Sequence, residues 1–290
     1  MHARDGSAAS PHSSATIEEE RMGAKSKLGQ NFLIDAQAVE RIAAALGDLS
    51  GRTVAEIGPG KGAITGALAS RAAHVIAIEL DRELAAALRQ SFAPERVTVA
   101  EQDVLGFDFA AAAAQTGARL AVAGNLPYYI TSPILLKLAA SHAALDAAVL
   151  MVQREVADRV TAAPGSRDYG VLSVTVQMYG PVERLFTLPP SAFSPPPEVH
   201  STVFRWRFAP RFAELGVEEE GFLRFVRLAF AQKRKTLANN LRAAGVSPAE
   251  AAKAISLAGL DARVRAEELP IEKLTALWRR LAPAGTMQPE

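Results

Sequence analysis

Thr53-Val54-Ala55-Glu56-Ile57-Gly58-Pro59-Gly60-Lys61-Gly62-Ala63-Ile64 runs from a short β-forming apolar stretch, through a glycine turn, into the start of a helix that carries Leu68 on its inner face. Strand, glycine turn and helix N-terminus in that order make a nucleotide-type cradle, because glycines let the backbone approach a ligand closely. Outward from this stretch, His74-Val75-Ile76-Ala77-Ile78-Glu79 reads as a second strand ending in a carboxylate. Such a carboxylate can accept both ribose hydroxyls of an adenosine. Asp81 follows and is expected to cap a helix beginning at Arg82. Val97-Thr98-Val99 leads to Glu101-Gln102-Asp103, where an acidic residue again stands at a strand end. Successive strands that deliver polar groups at their C-terminal ends predict a doubly wound, mostly parallel α/β sheet, whose ligands bind along that edge. The fingerprint Gly58-x-Gly60-x-x-Ala63 fits a dinucleotide as well as S-adenosylmethionine, so the glycines alone do not choose between them.

The fourth strand, Leu120-Ala121-Val122-Ala123, delivers Asn125-Leu126-Pro127-Tyr128, and a helix-forming run begins at Pro133. The exocyclic amine of a base is a poor nucleophile because its lone pair is conjugated into the ring. An amide oxygen of Asn125 and a nearby main-chain carbonyl could each accept one N–H and direct the lone pair at an electrophile, which combines preorganised electrostatics with positioning. Pro127 stiffens the turn, and Tyr128 offers a ring for an extruded base. Read alone, the tetrapeptide is equally an ordinary strand-to-turn break.

Asp146 to Val152 is expected to be a fifth strand and Gln153 to Val160 a helix, while Val171 to Met178 and His200 to Arg207 are expected to be the strands that finish the sheet. Between the last two lies Phe193-Ser194-Pro195-Pro196-Pro197-Glu198-Val199. Its prolines favour an extended, rigid loop that could bring Phe193 to the second face of a base held against Tyr128. Upstream, Lys25-Ser26-Lys27-Leu28-Gly29-Gln30-Asn31-Phe32-Leu33 reads as a lid of amides over a polar ligand, followed by a helix capped by Asp35. Residues 1–24 are rich in Ser, Ala and charge, and read as a disordered tail of a cytosolic protein.

The chain has 290 residues, 49% apolar and 22% charged, with net charge +1. That suits one large domain and a smaller one, read as 25–208 and 209–290. Cysteine is absent, which removes disulfides, thiolate metal sites, and methyl transfer through a cysteine nucleophile or a cysteine-held iron–sulfur cluster. No metal site is expected. Nor is there an uninterrupted apolar run of about 18 residues of the kind a membrane span needs. From Glu218 onward the pattern is helical, with start signals at Ser247-Pro248 and Pro270-Ile271. Gly221 to Gly245 contains Arg224, Arg227, Lys233, Arg234, Lys235 and Arg242 and no acidic residue. Such a local excess in a nearly neutral chain points to a polyanion.

Taken together, the chain resembles the ribosomal RNA adenine N6,N6-dimethyltransferases of the KsgA (RsmA) family over roughly residues 25–280. The likeness rests on Leu28-Gly29-Gln30-Asn31-Phe32-Leu33, Glu56 to Gly62, Glu79-Leu80-Asp81, Gln102-Asp103, Asn125 to Tyr129, Gln153 to Arg159, Phe193 to Val199 and Gln232 to Leu237, in the family's order. This resemblance implies a Rossmann-like class I methyltransferase domain with a small all-helical C-terminal domain. It implies a cofactor, S-adenosylmethionine, held by Gln30, Asn31, Leu33, Gly58, Gly60, Glu79, Leu80, Asp103, Val104 and Asn125. Asn125, Leu126, Pro127, Tyr128 and Phe193 would serve the target base, and Lys25, Lys27, Arg154, Arg224, Lys233, Arg234 and Lys235 would meet RNA. The implied substrate is the pair of adjacent adenosines in the last hairpin loop of 16S rRNA, within an immature 30S subunit. The chain would be a monomer of the cytoplasm. The rival readings are an Erm-type enzyme on large-subunit rRNA, an NAD-dependent dehydrogenase, which leaves the clamp and the basic segment unexplained, and a non-enzymatic assembly or transcription factor on the same fold.

Overall fold

A computed structural model describes residues 30–281. Its main sheet contains β2 (Thr53–Ile57), β3 (His74–Glu79), β4 (Val97–Glu101), β5 (Leu120–Asn125), β6 (Leu145–Gln153), β7 (Val182–Leu188) and β9 (Ser201–Arg207). A two-stranded ribbon pairs β1 (Phe32–Leu33) with β8 (Phe193–Ser194). The seven strands lie in the order β4-β3-β2-β5-β6-β9-β7. Pairing is parallel from β4 through β6 and antiparallel for β6 with β9 and β9 with β7.

Both faces of the sheet are covered, which explains why its strands read as nearly continuous apolar runs rather than alternating ones. Because side chains alternate along a strand, Ala55, Ile57, Leu120 and Val122 enter one apolar cluster while Val54, Ala121, Ala123 and Val149 enter the other. The second cluster takes Ala38, Val39 and Ile42 from the helix Ala36–Ala45. The first extends through Trp206 and Phe208 to Phe222, Phe225, Leu237, Leu274 and Trp278 of the C-terminal helices, crossing the 208/209 boundary without interruption. Those helices are Glu219–Ala229, Leu237–Ala243, Pro248–Leu257 and Ile271–Leu281.

Local chemistry sets several ends as expected. Asp35 accepts from the Ala38 N–H at 3.0 Å, Asp81 accepts from Glu83 and Leu84, and Ser247 and Glu250 form a reciprocal capping box. From β2 the chain steps outward through β3 and β4, then returns to β5 on the other side of β2. This reversal opens a crevice at the C-terminal ends of β2 and β5, the usual ligand position in such sheets.

Val171–Met178 is not the expected strand but a helix. Its β-branched residues favour a strand locally, yet Leu172, Ser173, Val174, Thr175, Val176 and Met178 are all buried, so tertiary burial on nearly every side overrides the local preference. Ser173 fixes the start of this helix: it accepts from the Gly170 N–H at 3.0 Å and donates to the Arg159 carbonyl at 2.5 Å. The strand that completes the sheet is β7, at an edge, with exposed and half-buried positions mixed without strict alternation. The tail 1–24 and the cations Lys25 and Lys27 lie outside the described residues.

Candidate active site

Four strand ends, those of β2, β3, β4 and β5, and the amide segment converge on one cavity of about 360 Å³. Every residue read as cofactor-binding lines it: Gln30, Asn31, Leu33, Gly58, Gly60, Glu79, Leu80, Asp103, Val104 and Asn125. Leu126, Pro127 and Tyr128 line the same space. The glycine turn is required by conformation. Gly58 and Gly60 have φ of 64° and 57°, and a Cβ on Gly60 would stand 3.0 Å from the Phe32 ring.

Glu79 is 4% exposed. Its carboxylate accepts the Gly60 N–H at 3.0 Å and the Asp81 N–H at 2.9 Å, one bond on each oxygen. A carboxylate offers about four acceptor positions, so each oxygen keeps capacity for a hydroxyl. Asp103 uses Oδ1 to cap the short turn Val104–Gly106 through the Leu105 N–H at 2.9 Å, leaving Oδ2 as an acceptor at the cavity wall. Beneath the turn, Glu56 is 1% exposed. Burial pushes its carboxyl up to about 8, opposed by a contact with Thr65 and helped by the nearby charge of Glu79. Glu56 is therefore the neutral member of the buried wall at neutral pH and below, while Glu79 is the acid that lines the cavity.

The Asn-Leu-Pro-Tyr turn has the polarity of a clamp. Asn125 Nδ2 donates to the Asn31 carbonyl at 3.0 Å, which leaves Oδ1 as the acceptor of that amide. The Leu126 N–H is held by the Met151 carbonyl at 2.9 Å. The Pro127 carbonyl is already engaged by the Ile130 N–H and the Thr131 hydroxyl, whereas no described residue donates to the Leu126 carbonyl. Of this turn, Asn125 Oδ1 and the Leu126 carbonyl are thus left without a donor among the described residues. Tyr128 shares a hydrogen bond of 2.9 Å with the Ser201 hydroxyl. Burial holds its phenol above the usual tyrosine range, so it presents a neutral ring rather than a base.

Phe193 is the exception. Its ring is 2% exposed and packs in the second apolar cluster, because β8 pairs with β1 and turns the side chain inward. Ser194 lines the cavity in its place, so Phe193 does not face a base against Tyr128 here. The neighbouring peptide Ser194–Pro195 is cis. Sequence reading passed over Tyr129, which is 60% exposed and also lines the cavity; its position next to Tyr128 in the clamp was the available signal.

The basic residues lie elsewhere. Lys233, Arg234 and Lys235 are exposed on the turn between the helices Glu219–Ala229 and Leu237–Ala243. Lys233 donates to the Arg167 carbonyl. Arg224 is paired with Glu220 at 3.1 Å, and Arg154 stands 3.7 Å from Asp158.

Comparison with known proteins places this arrangement. The family model described as ribosomal RNA adenine dimethylase matches residues 21–282. A protein of Acidobacterium capsulatum named ribosomal RNA small subunit methyltransferase A is 62% identical over 258 residues, covering 89% of this chain and 91% of the relative. A protein of Koribacter versatilis with the same name is 51% identical over 269 residues, covering 89% and 94%. Among solved structures, a dimethyladenosine transferase from Plasmodium falciparum has a TM-score of 0.75 at 23% identity, covering 88% of this chain and 98% of that one; this supports the fold. The 23S rRNA methyltransferase ErmE has a TM-score of 0.67 at 25% identity, covering 87% and 100%. The family match spans the glycine cradle, the clamp and the C-terminal helices alike, and the chain belongs to the ribosomal RNA adenine dimethylase family.

Proposed function

We propose that this protein transfers methyl groups from S-adenosylmethionine to N6 of two adjacent adenosines in the 3′-terminal hairpin loop of 16S rRNA, dimethylating each. The observation that carries this reading is the polarity of the clamp: with Nδ2 of Asn125 tied to Asn31, Oδ1 and the Leu126 carbonyl form a pair of acceptors in the cavity that Glu79 and the glycine turn build.

The residues present fit the cofactor. The buried Glu79 carboxylate keeps acceptor capacity for ribose hydroxyls, Leu80 and Val104 supply apolar wall, and Asp103 Oδ2 can take an amine. When bound, S-adenosylmethionine supplies an electrophilic methyl group on a positively charged sulfonium. The protein then has to orient and to exclude water. Asn125 and Leu126 take up the N–H groups of the base and leave its lone pair directed along the open line. Neither is a general base; the proton lost by the amine goes to solvent. Tyr128 offsets part of the cost of unstacking the base, a few kcal/mol. Since a monomethylated amine brings one N–H to two acceptors, the clamp must also tolerate a methyl group.

The substrate is 16S rRNA presented in an immature 30S subunit, with the exposed turn Lys233–Lys235 and the cations Arg154 and Arg224 on phosphate. The protein acts as a monomer in the cytoplasm; no described helix is long and apolar enough to cross a membrane. Large-subunit RNA is the second reading, favoured by the likeness to ErmE; the small-subunit name carried by relatives at 62% and 51% identity weighs against it. Incubation with labelled S-adenosylmethionine and 30S subunits lacking adenine dimethylation, followed by nucleoside mass spectrometry, tests the choice. Dimethyladenosine is expected in 30S and not in free 23S rRNA; transfer to 23S alone selects the second reading, and transfer to neither removes both.

A further inference from the structure

A second groove opens between the start of the helix Arg154–Val160 and the loop Glu198–His200. It lies beside the cavity on the same sheet edge, because β5 and β6 are parallel neighbours with Asn125 opposite Met151. Two links join the sites. Ser194 lines the cavity and Glu198 the groove, and four residues of chain span at most about 14 Å. Tyr128, in the cavity, is hydrogen-bonded to Ser201, the residue after His200. The two walls of the groove are tied by the Arg154 N–H donating to the His200 carbonyl at 3.0 Å.

The groove's chemistry matches a single nucleotide. Val199 is 42% exposed and gives the groove an apolar wall. Among the described residues, the side chains of Gln153, Glu198 and His200 make no hydrogen bond, while Asp158 is engaged by Arg184 as well as Arg154. Arg154 is largely exposed and is the cation for a phosphate. A run of backbone phosphates is a poor occupant, since Glu155 and Glu198 would repel it; acceptors of this kind suit the exocyclic amine of a splayed base.

We propose that this groove receives the nucleotide next to the target base and that Glu198 accepts a hydrogen bond from its exocyclic amine, with Arg154 on the phosphate and Val199 against the ring. This rests on the reading of two adjacent adenosines given above. It has a consequence for the pair: when the adenosine that enters the groove is already dimethylated it has no N–H to offer, so its partner in the cavity is bound more weakly than beside an unmodified neighbour.

The test uses 30S subunits whose neighbouring nucleotide is adenosine, purine riboside without the amine, or N6,N6-dimethyladenosine, and follows methylation of the other adenosine. For the wild-type protein KM is expected to rise about five- to tenfold from adenosine to purine riboside, with kcat within about twofold. Dimethyladenosine should behave like purine riboside or worse. Glu198→Ala should raise KM on the adenosine substrate to the same level and lose its response to the amine, while its affinity for S-adenosylmethionine, measured by calorimetry, stays at the wild-type value. Val199→Ala should weaken all three substrates alike. Equal KM on all three substrates overturns the proposal, as do effects of Glu198→Ala and purine riboside that multiply instead of coinciding. Absence of any transfer by the wild-type protein rejects the underlying reading itself.

Discussion

The catalytic cavity and the basic turn are built on opposite principles. In the cavity the informative groups are held by backbone: Glu79 by two N–H groups, Asn125 by the Asn31 carbonyl, Leu126 by Met151. Each is positioned by a strand end, so the sheet specifies direction to a fraction of an ångström. At Lys233–Lys235 the side chains are exposed on a turn, and only Lys233 is tied, to the Arg167 carbonyl. Under the proposed function the first region does chemistry that needs direction, and the second supplies charge to a polyanion, an effect that tolerates motion. Substitutions should therefore behave as losses of geometry in one region and as losses of charge in the other.

The largest expected effect is at Asn125. Asn125→Ala removes an acceptor that acts on the reacting amine, and turnover should fall by about 100- to 1,000-fold while 30S binding stays near wild type; a mutant that methylates at the wild-type rate would break the clamp argument. Tyr128→Ala should lower kcat/KM by about 10- to 100-fold, as expected for loss of one base–ring stack. Tyr128→Phe, which loses only the bond to Ser201, should remain within about threefold; equal damage from both would assign Tyr128 to hydrogen bonding and not to stacking. Replacing Lys233, Arg234 and Lys235 together by Ala should reduce the slope of log binding constant against log salt by about 2–3, with kcat at saturation retained. An unchanged slope would take the turn out of the RNA interface.

The smallest effect sharpens the comparison inside the cavity wall. The folded carboxyl of Glu56 is raised to about 8 from the ordinary 4.5. The folded state therefore binds more protons than the unfolded chain between these values, and stability falls as pH rises through that window. Glu56→Gln should flatten this dependence, so that its melting temperature relative to wild type is several degrees higher at pH 8 than at pH 5. Parallel pH profiles for the two proteins would show that Glu56 is ionised throughout.

The cavity was legible in the sequence because parallel strands buried on both faces leave unmistakable apolar runs, and the residue that ends each run lies at the sheet edge where the cavity opens. Every cofactor residue read from those ends reached the same cavity. What escaped were features set by partners distant in sequence. Val171–Met178 has the composition of a strand and becomes a helix because surrounding elements bury almost all of it. β7 was missed because an edge strand with mixed exposure has no strong periodic signal. Phe193 was expected at the base, but pairing of β8 with β1 fixes which way its side chain points, and no local rule reports that pairing. The groove at Glu198–His200 combines a loop and a helix start that are separated in the chain by the helix Val171–Met178, β7 and β8, and is invisible until they meet.

The ribbon of β1 and β8 is only two residues wide, yet it joins the amide segment before the first large strand to the loop before the last. It thus works as a latch: the whole succession of parallel strands lies between its two halves in the chain. The ribbon has few backbone bonds, but Leu33 and Phe193, paired across it, are both buried in the second apolar cluster, so parting it would expose apolar surface as well as break those bonds. Burial of those two side chains thus anchors the amide segment at the front of the cavity independently of the strand ladder that places Asn125 and Glu79.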